Sequence, residues 1–393
     1  MLSKHGNSRR LFRITIALLP ALRNSVSAWI PSSSTRIRQS SLRAMSDASP
    51  FKRAKLDDNV SDKIIGTHSG TFQADEAMGV WMLRQLPQYR NSKVVRTRDP
   101  SVLEKLDIVI DVGGVYDHSS LRYDHHQRGY DERFDEGNKD DPRCTKLSAS
   151  GLVYRHYGKE VIRAHYPDLT QDSIELAYTK VYDTLLEALD AIDTGVEMVP
   201  EGVEMLYKDS TGLSHRVSRL NPRWNEADEN TGETPSPDER FEVASQICGD
   251  DFLSVMTHIV ESDIPARVFV EHALLKRHET DASGEIIVLE SGGLPWRGHL
   301  YELEKDHNVD PLVKFVLYTD QAGMWRIQAV TVEGRGFENR LSLPEEWRGV
   351  RDEDLAKVAG IPGCTFCHAS GFIGGNETFE GVLQMARIAL TKK

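Results

Sequence analysis

Three histidines and four aspartates carry the chemistry available to this chain: His68, Asp75, Asp111, the consecutive Asp124-His125-His126, and Asp193. Imidazole and carboxylate together suit hard-to-borderline divalent cations such as Mn²⁺, Mg²⁺ or Zn²⁺. Two cations roughly 3.5–4 Å apart require bridging carboxylates and stabilise both attacking and leaving oxygens of a phosphoryl centre. Each residue also has a plainer reading. Asp75 suits a helix cap, Asp111 a strand end, Asp193 the position before a glycine turn, and the two histidines a polar loop. What favours chemistry is where all seven fall together.

The elements that must position them alternate strand and helix. Residues 63–68 (KIIGTH) form a short apolar run ending in a loop, hence a strand. A helix over 75–86 follows, with Asp75 as N-cap, Met78, Met82 and Leu86 in an i, i+4 row, and Pro87 as its stop. Residues 94–97 and 107–112 (DIVIDV) read as buried strands, the second running into Gly113-Gly114. A helix over 147–157 has Ser148 as cap and Gly158 past its end, and another over 171–194 stops at Gly195. Such alternation predicts an α/β domain with a mostly parallel sheet. Ligands of these sheets bind at the carboxyl ends of the strands. The chemical residues fall there.

The division predicted is a catalytic domain over 63–225, an acidic linker or loop over 226–240, and a smaller α+β domain over 241–393. Helical patterns fill 241–277, strands are expected at 285–289 and 313–319, and 325–332 pairs with the latter through a hairpin at 320–323. A last strand, 365–368, leads into Ser370-Gly371-Phe372-Ile373-Gly374-Gly375-Asn376 and a helix. A strand, glycine-rich turn and helix N-terminus can present N–H groups to an anion, or serve only a tight turn. Cys364-Thr-Phe-Cys367-His368 matches the c-type haem attachment pattern, but nothing else suggests haem. Strand alternation would send Cys364 and Cys367 to opposite faces.

The fuller runs are IGTHSGTFQADEA, VRTRDP, DIVIDVGGVYD, RYDHHQR, LSASGLVYRHYG and AIDTG, followed by SRLNPRWN, YTDQAGMWRIQAV, LPEEWRG and IPGCTFCHASGFIGG. From residue 64 to 389 they resemble the melanocyte-proliferating-gene (Myg) exonucleases of the DHH phosphoesterase superfamily. A bare Asp-His-His would be a weak signal; the ordered set is specific. The resemblance implies that His68 binds a first metal, that Asp75 and His125 bind a second, and that Asp111 and Asp193 bridge them. His126 would face the substrate phosphate as a catalytic group, with Asp124 orienting the histidine pair. Arg122 and Arg128 flank the histidines as phosphate contacts. The glycine-rich segment with Ser370, Gly371, Gly374 and Gly375 would bind substrate, joined by arginines such as Arg340.

The sequence departs from the family at Gln73, where the family usually has His and more distant DHH enzymes have Asp. Ala74 likewise replaces a common Cys. A neutral amide oxygen is a poor donor for Mn²⁺, so the first site is expected to hold its ion weakly, and Gln73→His to lower the Mn²⁺ requirement. The implied reaction is metal-dependent hydrolysis of RNA from its 3′ end. Two rivals stand beside it. One is hydrolysis of a small phosphorylated molecule such as a dinucleotide, pyrophosphate or cyclic nucleotide. The other, prompted by Gln73, is a catalytically weak metal- or RNA-binding regulator.

The 393 residues carry a formal charge of −12, which conceals an asymmetry. Residues 1–46 hold eight Lys/Arg and no acid, leaving a net of −20 on the remainder. An Arg- and Ser-rich, acid-free leader that can line up Leu11, Ile14, Leu18 and Leu22 reads as a mitochondrial presequence. Residues 47–62 read as disordered, with PFKRAKLD at 50–57 resembling a nuclear signal, and Met45 offers a second start that keeps it. Four cysteines exclude a disulfide framework, and no stretch of 18 apolar residues suggests a membrane span. So acidic a body argues against a broad basic nucleic-acid face and for few phosphate contacts.

Overall fold

A computed structural model describes residues 63–135, 143–200, 202–226 and 236–392. The leader over 1–46, the segment 47–62 and most of the acidic stretch (227–235) lie outside the described residues. The chain divides into two compact units, Met1–Asp251 and Phe252–Lys393.

In the first unit the short apolar runs become strands because both of their faces are covered. They are β1 (Ile64–Thr67), β2 (Lys93–Arg96), β3 (Ile108–Ile110), β4 (Tyr116–Asp117) and β5 (Arg122–Tyr123), in the order β2-β1-β3-β5-β4. The pairings β1–β2, β1–β3 and β3–β5 are parallel, and only the edge strand β4 runs antiparallel. Helix α1 (Ala74–Arg84) buries Ala74 through Leu83 without a break: an apolar run from Ala77 to Leu83 preceded by the buried carboxylates of Asp75 and Glu76. Gly79 lets it lie close: a Cβ there would stand 2.9 Å from Ile110. A short α2 (Pro100–Leu103) follows β2.

Helix α3 (Ala149–His165) packs on α1 and continues beyond Gly158, where the sequence suggests a stop. That glycine instead accommodates the Tyr154 ring, 2.6 Å from where its Cβ would be. The predicted helix over 171–194 is interrupted: α4 (Gln171–Val181) passes through a π turn (Tyr182–Leu186) into α5 (Glu187–Asp193). A π turn inserts a residue and shifts the phase of everything after it. Helix α6 (Leu213–Ser218) and α7 (Pro237–His258) follow, and the division between units falls within α7.

The second unit continues with a π turn (Ile259–Asp263), α8 (Ile264–Leu275), α9 (Arg277–Thr280), β6 (Ile286–Val288) and α10 (Arg297–Asp306). Then come β7 (Phe315–Thr319), β8 (Trp325–Ala329), β9 (Thr331–Val332), β10 (Arg335–Asn339), α11 (Asp352–Ala359), β11 (Cys364–Cys367), β12 (Ile373–Asn376) and α12 (Phe379–Thr391). Its main sheet has the order β11-β12-β8-β7-β6, with β7 and β8 joined by the expected hairpin. The predicted strand 325–332 stops at Ala329, and Val332 belongs to a separate ribbon of β9 and β10. Separate apolar clusters, one including α12 residues and one including α8 and α10 residues, complete the α+β unit. Among the described residues no helix is long and apolar enough to cross a membrane.

Three readings of this unit are corrected. Gly374 and Gly375 lie in β12, paired on both edges, so their N–H groups belong to a sheet and not to an anion-binding turn. Gly371 is left-handed (φ 70) and donates to the His368 carbonyl at 2.8 Å, leaving Ser370 as the exposed member of the segment. Arg340 is bound to Glu304 through two hydrogen bonds of 2.8 Å and to the Val313 carbonyl, so it braces the fold rather than contacting substrate. Cys364 and Cys367 share one apolar cluster, because a register shift in β11 breaks the strict alternation.

Candidate metal centre

Five segments of the first unit deliver donors to the carboxyl side of its parallel sheet. His68 follows β1, Asp75 and Glu76 open α1, Asp111 follows β3, Asp124-His125-His126 follow β5, and Asp193 closes α5. The start of α1 corrects the sequence reading by two residues. Gln73, not Asp75, is the N-cap, and its N–H donates to both oxygens of Glu76 at 2.8 and 3.0 Å. Asp75 is therefore not used as a cap and lies buried at the centre, 2% exposed.

Asp111 sits in the left-handed region, with φ 57. A non-glycine residue there costs about 1–3 kcal/mol unless its surroundings fix it. The Asp111 N–H is held by the Tyr123 carbonyl at 2.9 Å, and Gly113-Gly114 complete the turn. Asp124 fixes that turn from the other side by accepting the Gly114 N–H. Its Oδ1 also meets the ring Nδ1 of His126 at 2.6 Å and the His126 N–H at 3.2 Å. Burial works against its charge, but these hydrogen bonds hold the Asp124 carboxyl below the ordinary range.

The two adjacent histidines are differently placed. The His125 side chain is 8% exposed, with Nε2 at 2.9 Å from Asp193 and Nδ1 at 3.7 Å from Asp111. The His126 side chain is 61% exposed and lines the cavity. His68 Nε2 lies 3.1 Å from Glu76 and 3.2 Å from Asp111. Burial alone would lower its pKa; hydrogen bonds and charge from the two carboxylates push it up to about 10. The His125 imidazole is likewise raised, against its burial, by Asp193, Asp111 and Asp124. Burial and the charges of Asp111, Asp193 and Glu76 hold the Asp75 carboxyl well above its usual range.

These features test whether a cation fits. Neither Asp75 oxygen meets a donor, short of a proton shared with Glu76, and Asp111 Oδ1 and His125 Nδ1 are buried without hydrogen bonds. Buried charges without partners are costly, and a bound cation satisfies them. Donor atoms of Asp75, Asp111, His125 and Asp193 lie within 4.8 Å of one another. The same holds for Asp111, Asp124, His125 and His126, and for His68, Glu76 and Asp111. Asp111 is common to all three groups. The cluster can hold a metal ion.

The centre opens into a cavity of about 810 Å³. Gln73 lines it and is exposed, as do three groups the sequence reading did not single out: Arg98, Ser214 and His215. Arg98 donates to the Ser69 carbonyl and meets His68 Nδ1 at 3.1 Å. Of the predicted phosphate contacts, Arg122 is spent on the carbonyls of Ser120, Leu103 and Leu106, a staple between β5 and the turn after α2. Arg128 is exposed in the loop beyond the histidines. Glu76 and Asp190 were also missed; both are fully buried.

Residues 64–390 match the family model MYG1_exonuc, described as an uncharacterised protein family (UPF0160). The chain belongs to this family. MYG1 exonuclease of Rattus norvegicus is 47% identical over 84% of this chain and 85% of its own length. That of Homo sapiens is 47% identical over 84% and 86%. A MYG1 protein of Dictyostelium discoideum is 45% identical over 83% and 96%. No solved structure matches the chain. The matched residues take in every donor of the centre and reach into both compact units. They begin at Ile64, so residues 1–63 of this MYG1 family member are outside the match.

Proposed function

We propose that this protein is a divalent-metal-dependent phosphodiesterase that removes nucleotides from the 3′ end of RNA, using two ions of Mn²⁺ or Mg²⁺. The observation that carries the reading is the convergence on Asp111 of three donor groups with buried, unpartnered oxygens. The exonuclease names of relatives 47% identical support it. Bound cations would supply Lewis acidity to a phosphoryl oxygen and make the attacking water more acidic. The chain's own residues do the rest. His126, oriented by Asp124, is an imidazole open to the cavity and would meet a non-bridging phosphate oxygen. Arg98 adds a guanidinium to the cavity lining.

The test incubates full-length protein with 5′-end-labelled single-stranded RNA, with Mn²⁺ or with EDTA. A ladder shortening one nucleotide at a time from the 3′ end, abolished by EDTA, is expected. Endonucleolytic fragments, or activity unaffected by EDTA, would overturn the reading. The cavity volume is also that of a small-ligand site, about 300–1,000 Å³. Preference for dinucleotides over longer RNA would therefore favour the small-molecule alternative. We place the activity in mitochondria and nucleus on the composition of residues 1–62. Fluorescent fusions starting at Met1 and at Met45 should separate between the two compartments; cytosolic signal from both would remove that assignment.

A further inference from the structure

Glu76 occupies a position that helix capping alone does not explain. It is fully buried, beside the buried carboxylates of Asp75 and Asp111. A capping-box glutamate needs only to accept the N-cap N–H, which Gln73 supplies. That shared bond uses one lone pair on each oxygen and leaves the others to meet a cation. His68 Nε2 stands 3.1 Å from Glu76 Oε1 and 3.2 Å from Asp111 Oδ2. Ligand atoms about 2.1 Å from one small divalent ion, at right angles, lie about 3 Å apart. Both separations from His68 match that spacing, and all three donor atoms lie within 4.8 Å of one another. Independently, Asp111 is 3% exposed and its other oxygen, Oδ1, on the His125 side, is buried without a hydrogen-bond partner, so the carboxylate retains capacity for a cation beyond its contact with His68.

We infer that Glu76 is a direct ligand of the first cation, held with His68 and Asp111, and that it takes over the role left vacant by the amide at Gln73. The inference rests on the two-cation reading above and adds a residue to it. A carboxylate from the first turn of α1 supplies the negative charge, and hence the stronger oxygen donor, that the neutral amide of Gln73 does not. The weak first site expected from residue 73 is then closed from three positions further along the chain. Gln73→His should gain little in the native chain and much where Glu76 has been neutralised.

Full-length, metal-stripped protein titrated with MnCl₂, with free Mn²⁺ read by electron paramagnetic resonance, tests this. The wild type should bind two ions. Glu76→Gln keeps an oxygen for the Gln73 N–H, so the metal-free melting temperature should hold, while one of the two sites weakens at least about tenfold. Adding Gln73→His to that variant should recover most of the loss. The same change in the native chain should tighten binding less than about twofold. Unchanged binding of both ions by Glu76→Gln would overturn the ligand assignment while leaving the two-cation reading intact. No Mn²⁺ bound by the wild type would overturn both. If Glu76→Gln melts early, Gln73→His in the native chain decides, and a gain of tenfold or more there overturns the inference.

Discussion

Asp111→Asn should lower phosphodiesterase activity more than about 100-fold without unfolding the protein. The expectation follows from position. Asp111 is the one residue present in every donor group of the centre, touching the His68 side through Oδ2 and the His125 side through Oδ1. Loss of a residue that merely orients a metal ligand costs about 10–100-fold in affinity or activity. Loss of a shared ligand should exceed that. Asparagine is the informative replacement because, of the ordinary side chains, it best tolerates the left-handed backbone found here, φ 57. The effect on folding should be small. Burial, with the nearby charges of Glu76 and Asp193, raises the Asp111 carboxyl even though His68 pulls it down. A neutral amide relieves that burial cost but gives up the charge that holds the His68 imidazole up, so the two changes oppose each other. Metal-free Asp111→Asn should melt close to the wild-type temperature while binding Mn²⁺ poorly. Retained activity would refute the site; a lower melting temperature would make the loss one of folding.

The sequence made legible those features that depend on near neighbours. Strand ends, and hence the placing of His68 and Asp111 on one side of a parallel sheet, follow from apolar runs bounded by loops. What escaped depends on partners far along the chain or on small shifts of phase. Asp75 reads as a cap because it precedes an apolar row, yet the helix begins at Ala74 and the cap is Gln73. Glu76 is adjacent to Asp75, and neighbours on a helix normally point about 100° apart. Only at the first turn, with Gln73 folded back onto it, does Glu76 reach His68. Arg340 looked available until Glu304, 36 residues away, claimed it. Gly374 and Gly375 form an extended strand because β8 and β11 enclose them. A Cβ at Gly375 would stand 2.6 Å from Arg326 and 2.7 Å from Thr365. Their glycine character is thus a matter of space, which no local pattern records.

Asp190 is the clearest case, and its removal should have the largest effect on stability. It precedes Asp193 by about one helical turn, but its carboxylate reaches the first turn of α3 instead of the donor cluster. Its Oδ1 accepts the Ser148 N–H at 3.0 Å, the Gly151 N–H at 3.0 Å and the Ser148 hydroxyl at 2.8 Å. Its Oδ2 accepts the Tyr182 hydroxyl at 2.9 Å. The carboxylate is therefore the N-terminal cap of α3, supplied from α5, where the helix dipole favours negative charge. Gly151 is required by it, since a Cβ there would stand 2.2 Å from Oδ2. Asp190→Ala removes the acceptor of two buried N–H groups and of the Ser148, Ser150 and Tyr182 hydroxyls, and should cost about 3–5 kcal/mol in denaturant unfolding. Because α5 would lose its tie to α3, Asp193 should be misplaced and Mn²⁺ affinity should fall as well. Asp190→Asn should behave differently. Its Oδ1 can accept the same bonds, and its amide nitrogen can donate to the Tyr182 oxygen, so most stability should return. The pH dependence separates the two. Burial raises the Asp190 carboxyl to about 7 despite its hydrogen bonds, well above the usual 3.8. A raised folded-state pKa means the folded protein holds the proton longer, so this group's stabilising contribution is complete below about pH 4. It is lost as pH rises to about 7. Wild-type stability should carry that decline and Asp190→Asn should lack it. An Ala variant as stable as wild type would show that α3 is capped by other means.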